Sequence, residues 1–586
     1  MTRPPPASLV ELLRRRAEGE TDRVAYTFLA DGETEQERVT YGELDRRSRA
    51  IAALLRRRHR PGERALLLYP SGLDFIAAFF GCLYAGLIAV PAYPPRPNRE
   101  PSRLRGILRD AEPAAVLGTE AAVEGLAELA AVLPELTGAR WLATDHLPLS
   151  EAEHWEDPSL GPDATAFLQY TSGSTAEPKG VMVSHANLLH NLAYANHVEE
   201  NDASSVGVSW LPFYHDMGLI EAVLQPAYGG YPAFLMAPAA FLQEPLRWVE
   251  ALSRYRGTNS GGPNFAFELC VRKTAPEERA RLDLSSWRVA YNGAEPIRWE
   301  TLERFYRAFQ GCGLRWRSLY PVYGLAEATL LVSSGRRSYE PRPVMLDAER
   351  LAEGRAVEPR PGAAAARFAA CGPCGFGTKV AIVRPETRER CGPGEIGEIW
   401  VQGPSVAQGY WGRPDENRLT FGAELAEGEG PFLRTGDLGF LDGDDLVVTG
   451  RLKDLIVVRG RKHYPQDIER TVEACHASIR TGCVAAFGLE AGGEEGFGVA
   501  AEVERTALRA KNGAGLDGVL GAVREAVGAQ HELPLRAVFL LRPGSLPKTS
   551  SGKLRRHACR EGLRAGSLSA AACWVERPAT GGGVRS

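Results

Sequence analysis

Tyr170-Thr-Ser-Gly-Ser-Thr-Ala-Glu-Pro-Lys-Gly180 is the stretch on which the reading of this chain turns. It follows Ala-Thr-Ala-Phe-Leu-Gln at 164–169, an apolar run of strand length, and precedes a helical pattern at 186–197. Thr171, Ser172, Gly173, Ser174 and Thr175 pack hydroxyls and backbone N–H donors into one loop able to wrap a polyphosphate, with Lys179 as a compact point charge. A Walker A loop is a different object: it needs GxxxxGK[ST], and here Lys179 precedes its glycine. A flexible Ser/Gly linker would lack the preceding buried strand, the Pro-Lys-Gly ending and the following helix.

Outward from the loop, strand-like runs at 64–69, 114–118, 206–211 and 288–292 alternate with helical stretches such as 41–57. This alternation over about 24–380 predicts an α/β fold with largely parallel sheets, arranged as two subdomains. After Ala381, Gly-rich turns separate short alternating strands at 398–402 and 440–449, which predicts a β-rich subdomain. A small α+β unit follows Arg451-Leu-Lys453. The expected layout is a body at 1–450, a hinge at 451–453, a mobile small domain at 454–580 and a disordered tail at 581–586.

The chain has 586 residues with 69 Lys+Arg against 73 Asp+Glu, a net charge of −4, too near balance for a protein that lives on nucleic-acid phosphates. Only eight of those cations are lysines, so each lysine draws attention where arginine was evidently the easier choice. The apolar run at 75–90 is broken by Gly81 and Gly86 and falls short of the ~20 residues a membrane span needs. It reads as a buried helix entering a strand. The first eight residues hold three consecutive prolines and no apolar core, unlike a secretory signal. Ten cysteines form no disulfide framework, and Cys371-Gly-Pro-Cys374 lacks a second pair at zinc spacing, so a reduced, cytoplasmic compartment is expected.

The loop at 170–180 resembles the phosphate loop of the adenylate-forming superfamily of acyl-CoA synthetases, peptide-synthetase adenylation domains and luciferases, and further motifs agree in order. Tyr323-Gly324-Leu-Ala-Glu327 is similar to the motif in which the tyrosine stacks on adenine and the glutamate holds Mg²⁺ against the phosphates of ATP, with Ala326 where most relatives carry threonine. Asn292-Gly293-Ala294-Glu295-Pro296 resembles the adenine-pocket segment. Thr435-Gly-Asp437 resembles the motif whose carboxylate accepts from both ribose hydroxyls. Gly450-Arg451-Leu-Lys453-Asp454 resembles the hinge, with Arg451 reaching the nucleotide and Lys453 as the pivot. Pro547-Lys-Thr-Ser-Ser-Gly-Lys553 resembles the loop that delivers the catalytic lysine, Lys553, to the carboxylate and α-phosphate; Lys548 is expected to be structural.

Within that superfamily, Trp210-Leu-Pro-Phe-Tyr-His215-Asp216-Met-Gly-Leu, the Asn-Gly-Ala-Glu-Pro spelling, Ala326 and His463-Tyr-Pro-Gln-Asp-Ile-Glu469 resemble fatty acyl-AMP ligases, although Lys462 stands where asparagine is expected. In that family His215 would lie near the entrance for the acyl carboxylate. An Arg-, Pro- and Ala-rich segment at 334–368 sits where those ligases carry an insertion between body and small domain that disfavours CoA use; as sequence alone it reads as a long polar loop. The implied reaction joins a fatty acid to Mg·ATP, releases pyrophosphate, and passes the acyl group to the phosphopantetheine thiol of a separate acyl carrier protein in lipid, polyketide or lipopeptide biosynthesis. An acyl-CoA ligase shares every catalytic residue named. An amino-acid-activating enzyme, with Asp216 anchoring an ammonium, and a nucleotide-binding regulator without turnover are the other readings; the intact Lys179, Glu327, Asp437, Arg451 and Lys553 speak against the last.

Two patterns mislead. Gly513-Ala-Gly515-Leu-Asp-Gly518 matches GxGxxG, but a polar stretch separates it from any strand. His185, His190 and His197 share helical spacing without a carboxylate partner in sequence and read as ordinary helix histidines.

Overall fold

The computed structural model describes residues 4–94, 101–124, 133–136, 138–171, 177–458, 461–491, 494–509, 514–531, 534–549 and 553–576. The tail expected at 581–586, most of the phosphate loop and the first glycine of the GxGxxG match lie outside the described residues.

Thr165–Tyr170 belongs to a six-stranded sheet ordered Arg140–Ala143, Ala115–Gly118, Arg64–Leu67, Ile88–Pro91, Thr165–Tyr170 and Gly180–Ser184. All neighbours run parallel except the last pair, which is antiparallel. The loop at 171–179 is therefore a strand-to-strand connection; the helix expected directly after it starts one strand later, at His185–Glu199. That start is fixed by a capping box: Ser184 Oγ accepts from the Asn187 amide at 3.1 Å, and Asn187 Oδ1 accepts from the Ser184 amide at 3.1 Å.

The second sheet has eight strands, ordered Leu331–Ser334, Leu319–Gly324, Val289–Gly293, Asn259–Pro263, Gly207–Ser209, Ala233–Met236, Val24–Leu29 and Glu35–Thr40, with antiparallel edges and a parallel interior. The apolar run at 75–90 becomes the helix Leu73–Ala85, buried on almost every face, followed by the strand Ile88–Pro91; Gly86 ends the helix at φ +75, a left-handed conformation that glycine adopts without strain. Its phenylalanines join a core shared by both sheets.

The β-rich unit is antiparallel throughout and begins earlier than the expected start after Ala381: its strands include Pro343–Asp347 and Ala365–Pro373. The segment at 334–368 is accordingly not the long polar loop its composition suggested. Its alternating Val344, Leu346, Ala366 and Phe368 bury one face of a hairpin against Phe440, Val447 and Tyr464, and Arg342 pins it through Asp442 at 2.7 Å and Asp445 at 2.6 Å. After the 3₁₀ turn Leu452–Asp454 comes a four-stranded sheet, Ile479–Ala491, Glu494–Val503, Leu535–Leu541 and Ala570–Val575, with its own core of Val472, Val484, Val499, Val523 and Val538.

Candidate active site

Parallel α/β sheets bind ligands beyond the carboxyl ends of their strands, and there the chain opens a cleft of about 1530 Å³. Tyr170 and Thr171 leave one sheet; Ala294 and Glu295 follow Val289–Gly293, and Glu327 follows Leu319–Gly324 in the other. The β-rich unit adds Asp437 and Arg451, and the C-terminal unit adds Lys553. All eight line the cleft with Lys179, His215, Tyr323 and Gly324. The close turn before Glu327 requires Gly324, because a Cβ there would sit 1.8 Å from the Leu330 carbonyl oxygen.

On the side where the motifs predict the nucleotide, polar groups hold one another in place. Tyr323 Oη donates to Asp437 Oδ2 at 2.9 Å, and Arg451 Nε donates to Asp437 Oδ1 at 2.7 Å. The Asp437 charge raises the Arg451 guanidinium above its ordinary value. A carboxylate offers about four acceptor sites, so Asp437 retains capacity for two hydroxyls. Glu327 Oε1 accepts from Tyr410 Oη at 2.9 Å. Lys179 pairs with Glu416, with its ammonium 5.0 Å from the Tyr410 ring centroid, and its carbonyl closes the base of the loop by accepting from the Thr171 amide at 3.2 Å. Ser172, Gly173, Ser174 and Thr175 lie outside the described residues.

On the opposite side, His215 and Asp216 form a close ion pair, and Asp216 caps the following helix by accepting from the Met217 amide at 2.7 Å. Burial alone would raise the Asp216 carboxyl, but His215 and the Lys553 charge outweigh it and hold it at about 2. The helix Met217–Leu224 is a π-helix, and Gly218 lets it start so tightly: a Cβ there would lie 2.1 Å from the Pro212 carbonyl oxygen. Glu295 accepts from the Phe265 amide at 2.6 Å, and burial raises its carboxyl.

Lys553 lies between the two sides. Burial lowers its ammonium, while the carboxylates of Asp216, Glu295 and Asp437 pull it back up and Arg451 opposes them. Its amide donates to Thr549 Oγ1 at 3.0 Å, yet its ammonium makes no ion pair with the described residues. Lys548 by contrast is committed, donating to the Gly482 carbonyl at 2.9 Å, which fits its expected structural part. Lys453 lines the cleft beside Arg451, and the Lys462 side chain lies outside the described residues.

Two expected contacts are displaced. Asn292 is fully buried, donates to Asn264 Oδ1 at 3.4 Å and, like Gly293, stands behind the cleft wall; of that motif Ala294, Glu295 and Pro296 reach the opening. The reason is the alternation of the strand Val289–Gly293, whose register with Asn259–Pro263 turns Asn292 into the sheet packing. Elsewhere, His185 accepts from the Leu9 amide and is pushed by burial to about 4, His190 contacts Ser405 and Phe376, and Cys371 and Cys374 are free thiols.

Sequence reasoning missed Tyr410 and Glu416, which hold Glu327 and Lys179. It also missed Arg298, which lines the cleft and whose guanidinium meets Glu473 of the C-terminal unit at 2.6 Å. The stretch Gly409-Tyr-Trp-Gly-Arg-Pro-Asp-Glu416 was the available signal, with polar groups packed around a helix start.

One cleft thus collects Lys179, Tyr323, Glu327, Asp437, Arg451 and Lys553 from the two parallel-type sheets, the β-rich unit and the C-terminal unit. The chain belongs to the AMP-binding enzyme family, whose model matches residues 13–411; a second model, the AMP domain of Disco-interacting protein 2-like proteins, matches 453–572. It is 47% identical to the medium-chain-fatty-acid–[acyl-carrier-protein] ligase JamA of Moorena producens over 97% of both chains. It is 39% identical to a long-chain-fatty-acid–AMP ligase of Mycolicibacterium smegmatis over 97% of this chain and 96% of the other. Among solved structures, a fatty acyl-adenylate ligase of Legionella pneumophila in complex with acyl adenylate and pyrophosphate superimposes with a TM-score of 0.75 at 39% identity, covering 97% of this chain and 98% of that one. The chain is thus an ATP-dependent ligase with the acyl-adenylate ligase fold.

Proposed function

We propose that this chain is a fatty acyl-AMP ligase that hands its acyl group to a separate carrier protein. The observation that carries the reading is the Lys553 ammonium, which makes no ion pair with the described residues and is set between the Asp437–Arg451 side of the cleft and the His215–Asp216 side. A carboxylate oxygen of the fatty acid attacks the α-phosphorus of ATP; the new O–P bond forms as the bond to pyrophosphate breaks, giving acyl-adenylate. Lys179 neutralises charge on the polyphosphate, Tyr323 supplies an aromatic face for the base, Asp437 accepts from the ribose hydroxyls, and Arg451 and Lys553 stabilise charge building on the reacting phosphate. His215 orients the entering carboxylate beside Lys553. In the second half, the carrier's phosphopantetheine thiol attacks the acyl carbonyl, a C–S bond forms, and AMP leaves with the electrons of the broken C–O bond.

Mg²⁺ fits the site. Glu327 is a hard oxygen donor, and among the described residues no group of three or more His, Cys, Asp or Glu side chains forms a protein cage; Mg²⁺ is usually held by one or two carboxylates plus substrate phosphates. Bound there, it would neutralise phosphate charge. The carrier, rather than CoA, as acceptor is supported by the hairpin at 343–373. Its buried cluster with Tyr464 and Leu455 ties the C-terminal unit to the β-rich sheet and limits how that unit turns. No helix among the described residues is long and apolar enough to cross a membrane. The test is a mass-spectrometric assay of fatty acids with ATP and either CoA or a pantetheinylated carrier protein. Acyl-adenylate plus acyl-carrier is expected; abundant acyl-CoA would overturn the choice of acceptor, and pyrophosphate exchange with amino acids but not fatty acids would overturn the substrate class.

A further inference from the structure

We propose that Glu221, Glu199 and Tyr291 form a recognition site for a neutral hydrogen-bonding group, a hydroxyl or a carbonyl, carried on the acyl chain away from its carboxylate. The inference rests on reading the His215–Asp216 side of the cleft as the fatty-acid side, and names the class of fatty acid it takes.

Glu199 ends the helix His185–Glu199, and Glu221 sits on the π-helix Met217–Leu224; π-turns inside helical segments often mark functional sites. The two residues are 5% and 8% exposed, and both line the cleft. Glu199 is furnished with partners: Oε2 accepts from Asn201 Nδ2 at 2.7 Å and from Asn259 Nδ2 at 3.1 Å. Glu221 has no such donor among the described residues; what faces it is Glu199 itself. Burial raises both carboxyls, Glu221 is raised further by the charge of Glu199, and the two meet in a side-chain hydrogen bond; two carboxyls in such contact share a proton, so the pair presents a donor as well as acceptors.

Further polar groups lining the cleft point to a ligand. Tyr291 is 5% exposed, lines the cleft next to Glu221, and its hydroxyl has no hydrogen-bond partner among the described residues. Trp210, elsewhere on the cleft lining, keeps a buried indole N–H with no partner among the described residues. Buried polar groups are almost always hydrogen-bonded, and leaving one unmet costs about 1–3 kcal/mol. A second void of about 10 Å³, walled by Glu221, Tyr231, Asn259 and Tyr291, has room for one water at most. A bare methyl end would press against this wall and satisfy none of it; a hydroxyl offers a donor and an acceptor at once. Asp216 caps the same helix at its Lys553 end, and Glu221 follows five residues later, one i→i+5 turn along it. The polar wall therefore stands a short chain's length from the reacting carboxylate.

The full chain should be assayed by ATP–pyrophosphate exchange with matched short and medium acids that are unsubstituted, ω-hydroxylated or ω-aminated. At the length that reaches Glu221, the ω-hydroxy acid is expected to show at least about 10-fold higher kcat/KM than its unsubstituted partner, the worth of one satisfied buried group. Glu221→Leu should reverse that ratio and Glu221→Gln, which keeps shape and hydrogen bonding, should preserve it; because each variant is scored by a ratio, a loss of folded protein cancels. A preference for the unsubstituted acid at every length, unmoved by Glu221→Leu, overturns the inference and leaves the fatty-acid reading intact. A dominant ω-amino acid overturns the neutral class. Exchange with none of these acids overturns the fatty-acid reading and the inference with it.

Discussion

Lys179 and Lys553 enter the same cleft from opposite ends of the chain, and their surroundings differ in kind. Lys179 stands at the foot of a loop on the six-stranded sheet, already paired with Glu416 and lying against the Tyr410 ring. Lys553 arrives on the C-terminal unit and makes no ion pair with the described residues, although Asp216, Glu295 and Asp437 all act on it through space. A paired lysine binds a polyphosphate only by exchanging one anion for another. An unpaired one, desolvated by its walls, gives its full interaction to whatever charge the reaction places beside it. On the proposed reading, one side of the cleft holds the nucleotide and the other end serves the chemical step.

The largest break in that contrast is Lys553→Ala. Adenylate formation should fall by about 100-fold or more, the usual loss when a preorganised electrostatic contact to the reacting atoms is removed, while transfer from supplied acyl-adenylate to the carrier changes far less; comparing the two half-reactions checks it. Lys553→Arg sharpens the point through pH. Because burial lowers the Lys553 ammonium, it loses its proton below the ordinary lysine range as pH rises, and adenylation should fall on that alkaline limb. Arginine stays protonated, so the variant, slower from altered geometry, should lack the limb in its pH–rate profile.

Asp437→Asn comes next. It leaves Arg451 without its counter-charge and weakens an acceptor already shared with Tyr323. A hydrogen bond to a charged group is worth about 1.5–3 kcal/mol, so KM for ATP should rise about 10- to 100-fold, with a smaller change in kcat, in pyrophosphate exchange. Arg298→Ala tests the contact between the body and the C-terminal unit. It leaves the buried Glu473 carboxylate with the Gly482 amide but no counter-charge, at a cost of up to about 3–5 kcal/mol in how the C-terminal unit seats, and should lower adenylation at least several-fold while leaving KM for ATP nearly unchanged.

How much of this was legible in sequence follows from what each element needs. The loop at 170–180, Tyr323, Asp437 and Lys553 announce themselves because their chemistry depends on local spelling: hydroxyls and glycines in one loop, a carboxylate on a turn, a lysine on a glycine-supported tip. The parallel sheets were legible because buried strands read as apolar runs. The hairpin at 343–373 was hidden because Arg and Pro on its exposed face dominate its composition, while the alternating residues that bury it are small or few. Asn292 looked like a binding residue because a motif lists residues without saying which face of the strand each occupies. Glu416, Arg298 and the Glu199–Glu221 pair acquire meaning only from neighbours more than a dozen positions away, brought close by sheet order.

The smallest expected effect has the opposite sign and addresses the comparison directly. Glu416 sits on the short helix Pro414–Thr420, near the rim of the cleft, with its side chain a third exposed. While it holds Lys179, each ATP that binds must take the ammonium from a carboxylate, and that exchange subtracts from the phosphate contact. An exposed pair is worth about 0.2–1 kcal/mol, so Glu416→Gln should lower KM for ATP by no more than about 5-fold, with kcat unchanged, and salt should shrink the difference by screening both pairings. If KM instead rises, Glu416 steers the lysine toward the phosphates rather than competing with them, and Lys179 and Lys553 would differ only in position. The same substitution in a Lys179→Met background separates these outcomes, because a competing carboxylate loses all influence once its lysine is gone, whereas a carboxylate acting on the loop itself does not.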